Sequence, residues 1–397
     1  MAISDRDKER LNLISPAAND VKLGDIIQDF QESGGDAGKK QGFLYNGETG
    51  LSRWRSALAK VANGDIIANL NVIGSSSVVG VGSGGGGVAG NLAITQNSLV
   101  KSFSGRLRSQ LASKYGDVGR GFIPQHYDKF WTFAGTWAAL ANYGIIGAQA
   151  KKSSTVGSTA TLSFSGTSLT LMLVTGTFGA SFSVAIDGGT AQTFTTVGTA
   201  SAAKAFAVAS GLADGAHTAV ITVTAVTSAS HGLTIIGAYE GKAATAGVRV
   251  NAIGVTGSKT SAALGENFLY AEIDAWAPAL TLICYSSNDF NSQTPLATFK
   301  EQTQTLITRA KQFGDVVLMP AGLRGISQTI PLEAYVGVYK ELAEENDIAF
   351  LDTFGRWHAD FNFAKNTLQF IASDDIHMND YGHQDLASAI FNALVNY

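Results

Sequence analysis

The spacing of hydrophobic positions changes several times along the chain, and each change predicts a different kind of structure. Trp54, Leu58 and Val61 fall on one face of a helix. Asp65 to Ile73 is a short apolar run that ends in the cluster Ser75-Ser76-Ser77, which predicts a buried strand. A glycine-rich loop follows, from Gly80 to Gly90. Leu99, Phe103, Leu107 and Leu111 then recur every four residues and predict a helix. The same alternation returns after Gly247. Strands are expected over Leu280 to Cys284, Asp315 to Met319 and Ile348 to Leu351. Helices are expected over Pro295 to Phe313, with Pro295 in its first turn, over Leu332 to Glu344, and over Asp380 to Val395. Strands joined by helices make a parallel, three-layer α/β/α sheet. In such sheets chemistry gathers at the carboxyl ends of strands. Ser76 and Asn288 each come just after one.

The middle of the chain obeys a different period. Leu169, Leu171 and Leu173 recur at every second position, as do Phe182, Val184 and Ile186, and Ala219, Ile221, Val223 and Ala225. Asp187-Gly188-Gly189 and Asp214-Gly215 supply turns, and the only formal charges from 153 to 238 are Asp187, Lys204 and Asp214. Period two with regular turns predicts antiparallel strands in a β-sandwich. The expected organisation is therefore an N-terminal arm and linker over 1–50, an α/β body over 51–150 and 246–397, and an inserted β-sandwich over 151–245. The arm has two short helix-like runs, around Leu11 to Ile14 and Leu23 to Phe30, and too little apolar content to fold alone.

Composition narrows the function. Of the 397 residues 45% are apolar and 15% charged, with no apolar run of membrane-spanning length. The net charge of −4 gives no broad basic field for nucleic acid. A single cysteine, Cys284, excludes an internal disulfide framework. Six histidines are scattered without a ligand pattern, so no metal and no cofactor are expected. Gly80-Val81-Gly82-Ser83-Gly84-Gly85 has the glycine spacing of a dinucleotide loop, but positions 95–110 lack the acid that such a site needs. A flexible rim to a site is the better reading. The start, Met1 to Lys8, has no apolar signal region, so export by the usual leader is not indicated.

The residues that carry chemistry lie at the two ends of the body. Asp374 stands three positions before His377, so the acid can hold one imidazole nitrogen while the other faces a substrate. That is the acid–base half of a nucleophilic triad. A serine at the end of a strand, Ser76, supplies the other half 301 positions earlier. Taken singly, each feature has a plainer explanation: a turn serine, a capping aspartate with a surface histidine, an Asx turn at Asn288-Asp289. Phe130, Trp131, Phe133 and Trp137 fit a sugar-stacking wall or, more commonly, interface packing. His383 is expected to pack on the last helix and not to act as a second base.

Four blocks in order resemble the SGNH (GDSL-type) hydrolase family. Gly74-Ser75-Ser76-Ser77-Val78-Val79-Gly80 is similar to the Gly-Asp-Ser block, with Ser75 in place of the usual aspartate. Asn251-Ala252-Ile253-Gly254 resembles the oxyanion glycine block, with one residue more than usual between the Asn and the Gly. Ser286-Ser287-Asn288-Asp289 is similar to Gly-x-Asn-Asp, with Ser286 where a glycine is usual. Asp374-x-x-His377, followed by Asn379 and Gly382, is the nearest match. The resemblance implies a flavodoxin-like SGNH-hydrolase sheet with Ser76, His377 and Asp374 as the triad. It implies an oxyanion hole made by the Ser76 and Gly254 amides and the Asn288 side chain. The implied activity is removal of acyl groups, O-acetyl first, from a carbohydrate or cell-surface polysaccharide. The insertion resembles carbohydrate-binding accessory domains. The Gly/Ser/Thr/Ala-rich composition and polar arm resemble phage tail or receptor-binding proteins. That extension implies a virion or extracellular setting and a homo-oligomer, a trimer in a tail. Two alternatives stay open: a lipase or thioesterase on longer acyl chains, and a non-catalytic glycan-binding structural module.

Overall fold

The computed structural model describes residues 42–85, 88–93, 96–125, 130–140, 150–228, 232–265, 276–320 and 322–396. The expected helix-like runs of the N-terminal arm lie outside the described residues. Residues 42–50, assigned to that arm from the sequence, belong instead to the body. Leu44–Tyr45 (β1) pairs antiparallel with the last body strand, which a two-residue strand is too short to signal by periodicity.

The body is built on Ser52–Ala62 (α1), Ile67–Gly74 (β2), Ser76–Val79 (α2), Phe103–Tyr115 (α3), Gly247–Gly254 (β3), Leu280–Cys284 (β4), Ser287–Asn291 (α4), Leu296–Ala310 (α5), Asp315–Leu318 (β5), Leu332–Asn346 (α6), Ala349–Leu351 (β6) and Asp380–Val395 (α7). The strand order is β1-β6-β5-β4-β2-β3, parallel apart from β1. Helices α1, α3 and α7 pack on one side and α5 with α6 on the other. Trp54 of α1 is fully buried and its indole donates to the Leu394 carbonyl of α7 at 3.0 Å. β2 and β4 are buried on both faces: Leu70, Val72, Leu280 and Leu282 on one, and Asn71 and Ile283 on the other, are all at 0% exposure. That is why both read as continuous apolar runs and not as alternating ones.

The helix expected through Leu99 to Leu111 is two helices, Gln96–Lys101 and α3. Ser102 caps α3 by accepting from the Gly105 amide at 3.1 Å. A Cβ on Gly105 would stand 2.1 Å from the Leu99 carbonyl, so the two segments cross too closely for one straight helix.

The insertion is two antiparallel sheets around their own apolar core. One sheet runs Gln192–Thr195, Ala180–Ile186, Gly215–Val226, Thr159–Gly166, Trp131–Ala134; the other runs Ala202–Ala209, Ser168–Thr175, Leu233–Gly241, Ala150–Ser153, Ala138–Leu140. The sandwich strands therefore begin at Trp131, ahead of the boundary expected at 151. These early strands are short and lack clean alternation, so period two does not reveal them. The aromatic cluster divides accordingly. Phe130 and Trp131 are buried, while Phe133 and Trp137 are half-buried and meet edge to face at 5.0 Å. Cys284 is buried at the end of β4, as a small apolar residue would be.

Candidate active site

β2 delivers Ser76 through a turn that only glycines allow. A Cβ on Gly74 would stand 2.5 Å from the Cys284 carbonyl. The chain then enters α2, whose first turn is closed by the Val78 and Val79 amides on the Ser75 carbonyl at 3.0 and 3.2 Å. Gly80 ends it at φ 91° with its amide on the Ser76 carbonyl, and a side chain there would meet the Ser98 carbonyl at 2.6 Å. The four-residue spacing from Ser76 to Gly80 is the length of this one turn. Ser76 sits at its N-terminus with its amide outside the helix ladder.

The acid–base loop precedes α7. Asn379 caps that helix by accepting from the Tyr381 and Gly382 amides, and its own amide donates to the carbonyls of Val88, Gln369 and Ile371. The glycine-rich segment presses on the same loop. A Cβ on Gly82 would lie 2.0 Å from the Met378 carbonyl, and the Ala89 carbonyl accepts from Ser373 N at 3.0 Å. This stretch is a brace for the acid–base loop, where the sequence suggested a flexible rim.

Between them the two loops bring three side chains into line. His377 Nε2 lies 2.8 Å from Ser76 Oγ, and Nδ1 lies 2.5 Å from Asp374 Oδ2. Asp374 Oδ1 accepts from the His377 and Ile376 amides at 3.0 and 3.1 Å, so both carboxylate oxygens are engaged. Its neighbour Asp375 is held in an ion pair with Lys365 at 2.5 Å. Burial pushes the Asp374 carboxyl up, but the hydrogen bonds from His377 and the two amides outweigh it and hold it below its ordinary value. Burial lowers the His377 pKa; the Asp374 bond and charge oppose that, and the Arg324 charge adds to it, leaving it below its ordinary value. A neutral imidazole near pH 7 is the form that can take a proton from Ser76.

The oxyanion donors need one correction. Gly254 is the last residue of β3, in register with Gly74. Val255 N bonds the Gly74 carbonyl at 3.0 Å, so in a parallel ladder the Gly254 amide points to the free edge of the sheet. Its missing Cβ serves packing, since an added one would stand 2.7 Å from Val79 N and 2.9 Å from the Ser75 carbonyl. The loop beyond β3 turns at Val255–Ser258, closed by Ser258 N on the Val255 carbonyl, with Gly257 at φ 77°. The Gly257 amide is free in that turn, and the Asn288 amide donates to the Ser258 carbonyl beside it at 3.0 Å. One N–H of Asn288 remains for a substrate. On this loop the amide left free in the turn is therefore that of Gly257, while that of Gly254 faces the sheet edge. Asp289 locks the two blocks together by accepting from Thr260 N and Oγ1 at 3.1 and 3.0 Å. Ser286 adopts φ 91° and ψ −43°, a conformation suited to glycine, which explains the residue usual at that position.

Arg324 was not legible in the sequence. It follows β5 in a stretch without period or motif, and its Nε donates to Ser287 Oγ.

His383 is fully buried between helices. Nδ1 accepts from Phe103 N at 3.1 Å and Nε2 donates to the Val81 carbonyl at 3.3 Å. Burial pushes its pKa down to about 4 from 6.5. Below 6.5 the unfolded chain binds the proton first, so stability is full above that value and is lost as pH falls toward 4. The expected loss is roughly 3 kcal/mol at completion. Urea denaturation at pH 7.5 and 4.5 should show this fall, and His383→Gln, which cannot take the proton, should show a smaller one. Equal pH dependence in both proteins would rule out His383 as its source.

Residues 226–384 match the model of the GDSL-like lipase/acylhydrolase family. The body has the fold of the GDSL-type (SGNH) hydrolases. The matched span holds Gly257, Asn288, Asp374 and His377 but not Ser76, which the sandwich separates from them in sequence. Residues 147–246 match the carbohydrate esterase 2 N-terminal model. Among solved structures, one described as a peptidoglycan O-acetylesterase in action aligns with a TM-score of 0.68 at 16% identity, covering 89% of this chain and 98% of the other. A family two carbohydrate esterase from Clostridium thermocellum, in complex with cellohexaose, aligns at a TM-score of only 0.28 and 15% identity, over 66% of this chain and 98% of its own. No curated protein matches the chain. The SGNH hydrolase body and the β-rich insertion thus recur together in one solved fold of nearly the same extent. No helix among the described residues is long and apolar enough to cross a membrane.

Proposed function

We propose that the protein is a serine esterase that removes acyl groups, O-acetyl first, from a carbohydrate or cell-surface polysaccharide. The observation that carries this reading is the hydrogen-bonded line from Asp374 through His377 to Ser76 at the open end of β2. As Ser76 Oγ attacks the ester carbonyl, His377 takes its proton and Asp374 stabilises the imidazolium. The carbonyl electrons move to the oxygen, which accepts from the Ser76 and Gly257 amides and Asn288 Nδ2. Each donor contributes about 3 kcal/mol in the transition state. The intermediate collapses, and His377 returns the proton to the departing sugar hydroxyl. Water, activated by the same imidazole, then releases the acid from the acyl-serine.

Three things support a carbohydrate. One is the sandwich, whose span matches a carbohydrate esterase N-terminal family. Another is the fold shared with the peptidoglycan O-acetylesterase. The third is a cleft of about 830 Å³ between α3 and the sandwich, lined by Arg108, Arg120, Glu240 and Lys242 beside Phe130 and Phe164. None of the triad or oxyanion residues lines it, so its role in this reading is to hold sugar units remote from the ester. The virion-borne or extracellular, trimeric setting belongs to the same proposal and draws on composition and the polar arm. The test is acetate release from a panel of acetylated polysaccharides, with acetyl and long-chain nitrophenyl esters as controls. Release from at least one polysaccharide, and acetyl favoured over long chains, is the expected result. Turnover of long-chain esters alone would place the protein with the lipases.

A further inference from the structure

We propose that Arg324 binds a carboxylate on the sugar next to the ester, which makes acetyl esters of acidic sugars the preferred substrates. This rests on the esterase reading above and adds the charge of the substrate.

The argument starts from where the guanidinium is held. Arg324 Nε donates to Ser287 Oγ, and Ser287 immediately precedes Asn288 of the oxyanion hole. The next residue, Gly325, donates its amide to the Asp375 carbonyl at 3.2 Å, one position from Asp374. The arginine is thus pinned from both sides, between the oxyanion helix and the acid–base loop, at the carboxyl end of the sheet. Its charge is felt by both Asp374 and His377.

What it lacks is a partner of opposite charge. Arg106, Arg120 and Arg356 pair with Asp380, Glu240 and Asp385. Among the described residues Arg324 makes no ion pair, and neither Nη atom has a hydrogen bond. The two nearby carboxylates are engaged elsewhere, Asp374 by His377 and two amides, Asp375 by Lys365. Burial lowers the Arg324 pKa to about 10. A half-buried cation without a counter-ion is costly to keep in a fold. Its two free Nη groups form the planar fork that matches a carboxylate in two parallel bonds. A ligand carboxylate is what the site lacks, and the neighbouring hole and triad fix where the ester must lie.

The experiment compares monoacetylated methyl glucoside with monoacetylated methyl glucuronoside, which differ only in a hydroxymethyl or carboxylate group. Acetate release gives kcat and KM for each in wild type, Arg324→Lys and Arg324→Gln, with folding checked by thermal melts. Wild type should favour the glucuronoside at least tenfold, chiefly through KM, and less so in high salt. Arg324→Gln should bring the ratio near one, and Arg324→Lys should retain part of it. No preference in wild type, or parallel loss on both esters with the ratio unchanged, overturns the proposal. Parallel loss would mean that Arg324 only positions Ser287 and Asn288. If wild type cleaves neither ester, the esterase reading fails, and calorimetry with glucuronate and glucose decides the arginine separately. Glucuronate binding that is lost in Arg324→Gln supports it, and absence of glucuronate binding to wild type overturns it.

Discussion

Ser76→Ala is expected to reduce ester turnover by about 10⁴-fold or more while leaving the fold intact. Ser76 is the hydroxyl within 2.8 Å of the imidazole, and it sits on the one tight turn that its glycine neighbours make possible. Ser75→Ala and Ser77→Ala should have far smaller effects, because neither side chain bonds His377. His377→Ala should be as inactive as Ser76→Ala, since the pair acts as a unit and its losses do not add. Asp374→Asn should keep the geometry but favour the wrong tautomer, with a loss approaching 10⁴-fold. Because the His377 pKa lies below 6.5, activity should fall with pH through a midpoint under that value. Steady-state rates on nitrophenyl acetate across these variants, alongside melting curves, check every part of this expectation. Substantial activity in His377→Ala would remove the triad from consideration.

The second large effect concerns the oxyanion hole. Asn288→Ala should lower kcat by about 10²- to 10³-fold with little change in KM, because its donated bond matures only in the transition state. The glycine correction predicts a contrast. Gly254→Ala should destabilise the fold and disturb α2, since the added methyl meets Val79 N and the Ser75 carbonyl. An alanine at Gly257 meets nothing within 4 Å but strains a backbone at φ 77°. It should therefore act on kcat through the turn and cost about 1 kcal/mol in stability. A stable, fully active Gly254→Ala would contradict the packing role given to that glycine.

How far these features were readable depends on what kind of signal each one leaves. β2, β4, β5, α6 and α7 are long or continuously buried, so their apolar patterns specify them directly. β1 is only two residues long, too short to carry a pattern that stands out from its surroundings. The sandwich boundary was misplaced because its early strands are only three or four residues long and lack clean alternation. The triad was legible because Asp374 and His377 are local to each other and Ser76 ends a strand. Gly254 misled because two glycines lie within four positions, and sequence does not say which amide is free. Arg324 left no trace at all. Its meaning comes from the absence of a carboxylate partner, which is a property of three-dimensional neighbours. The brace formed by Gly82 and Ala89 is similar, since a glycine-rich run looks the same whether it is loose or packed.

The central claim is that Ser76 forms a covalent acyl intermediate, and trapping tests it most directly. Intact-mass analysis after treatment with a small organophosphonate, followed by peptide mapping, should find a single adduct on Ser76. The same treatment of His377→Ala should give almost none. An adduct on another serine, or an enzyme that cleaves esters yet resists labelling at Ser76, would contradict the account.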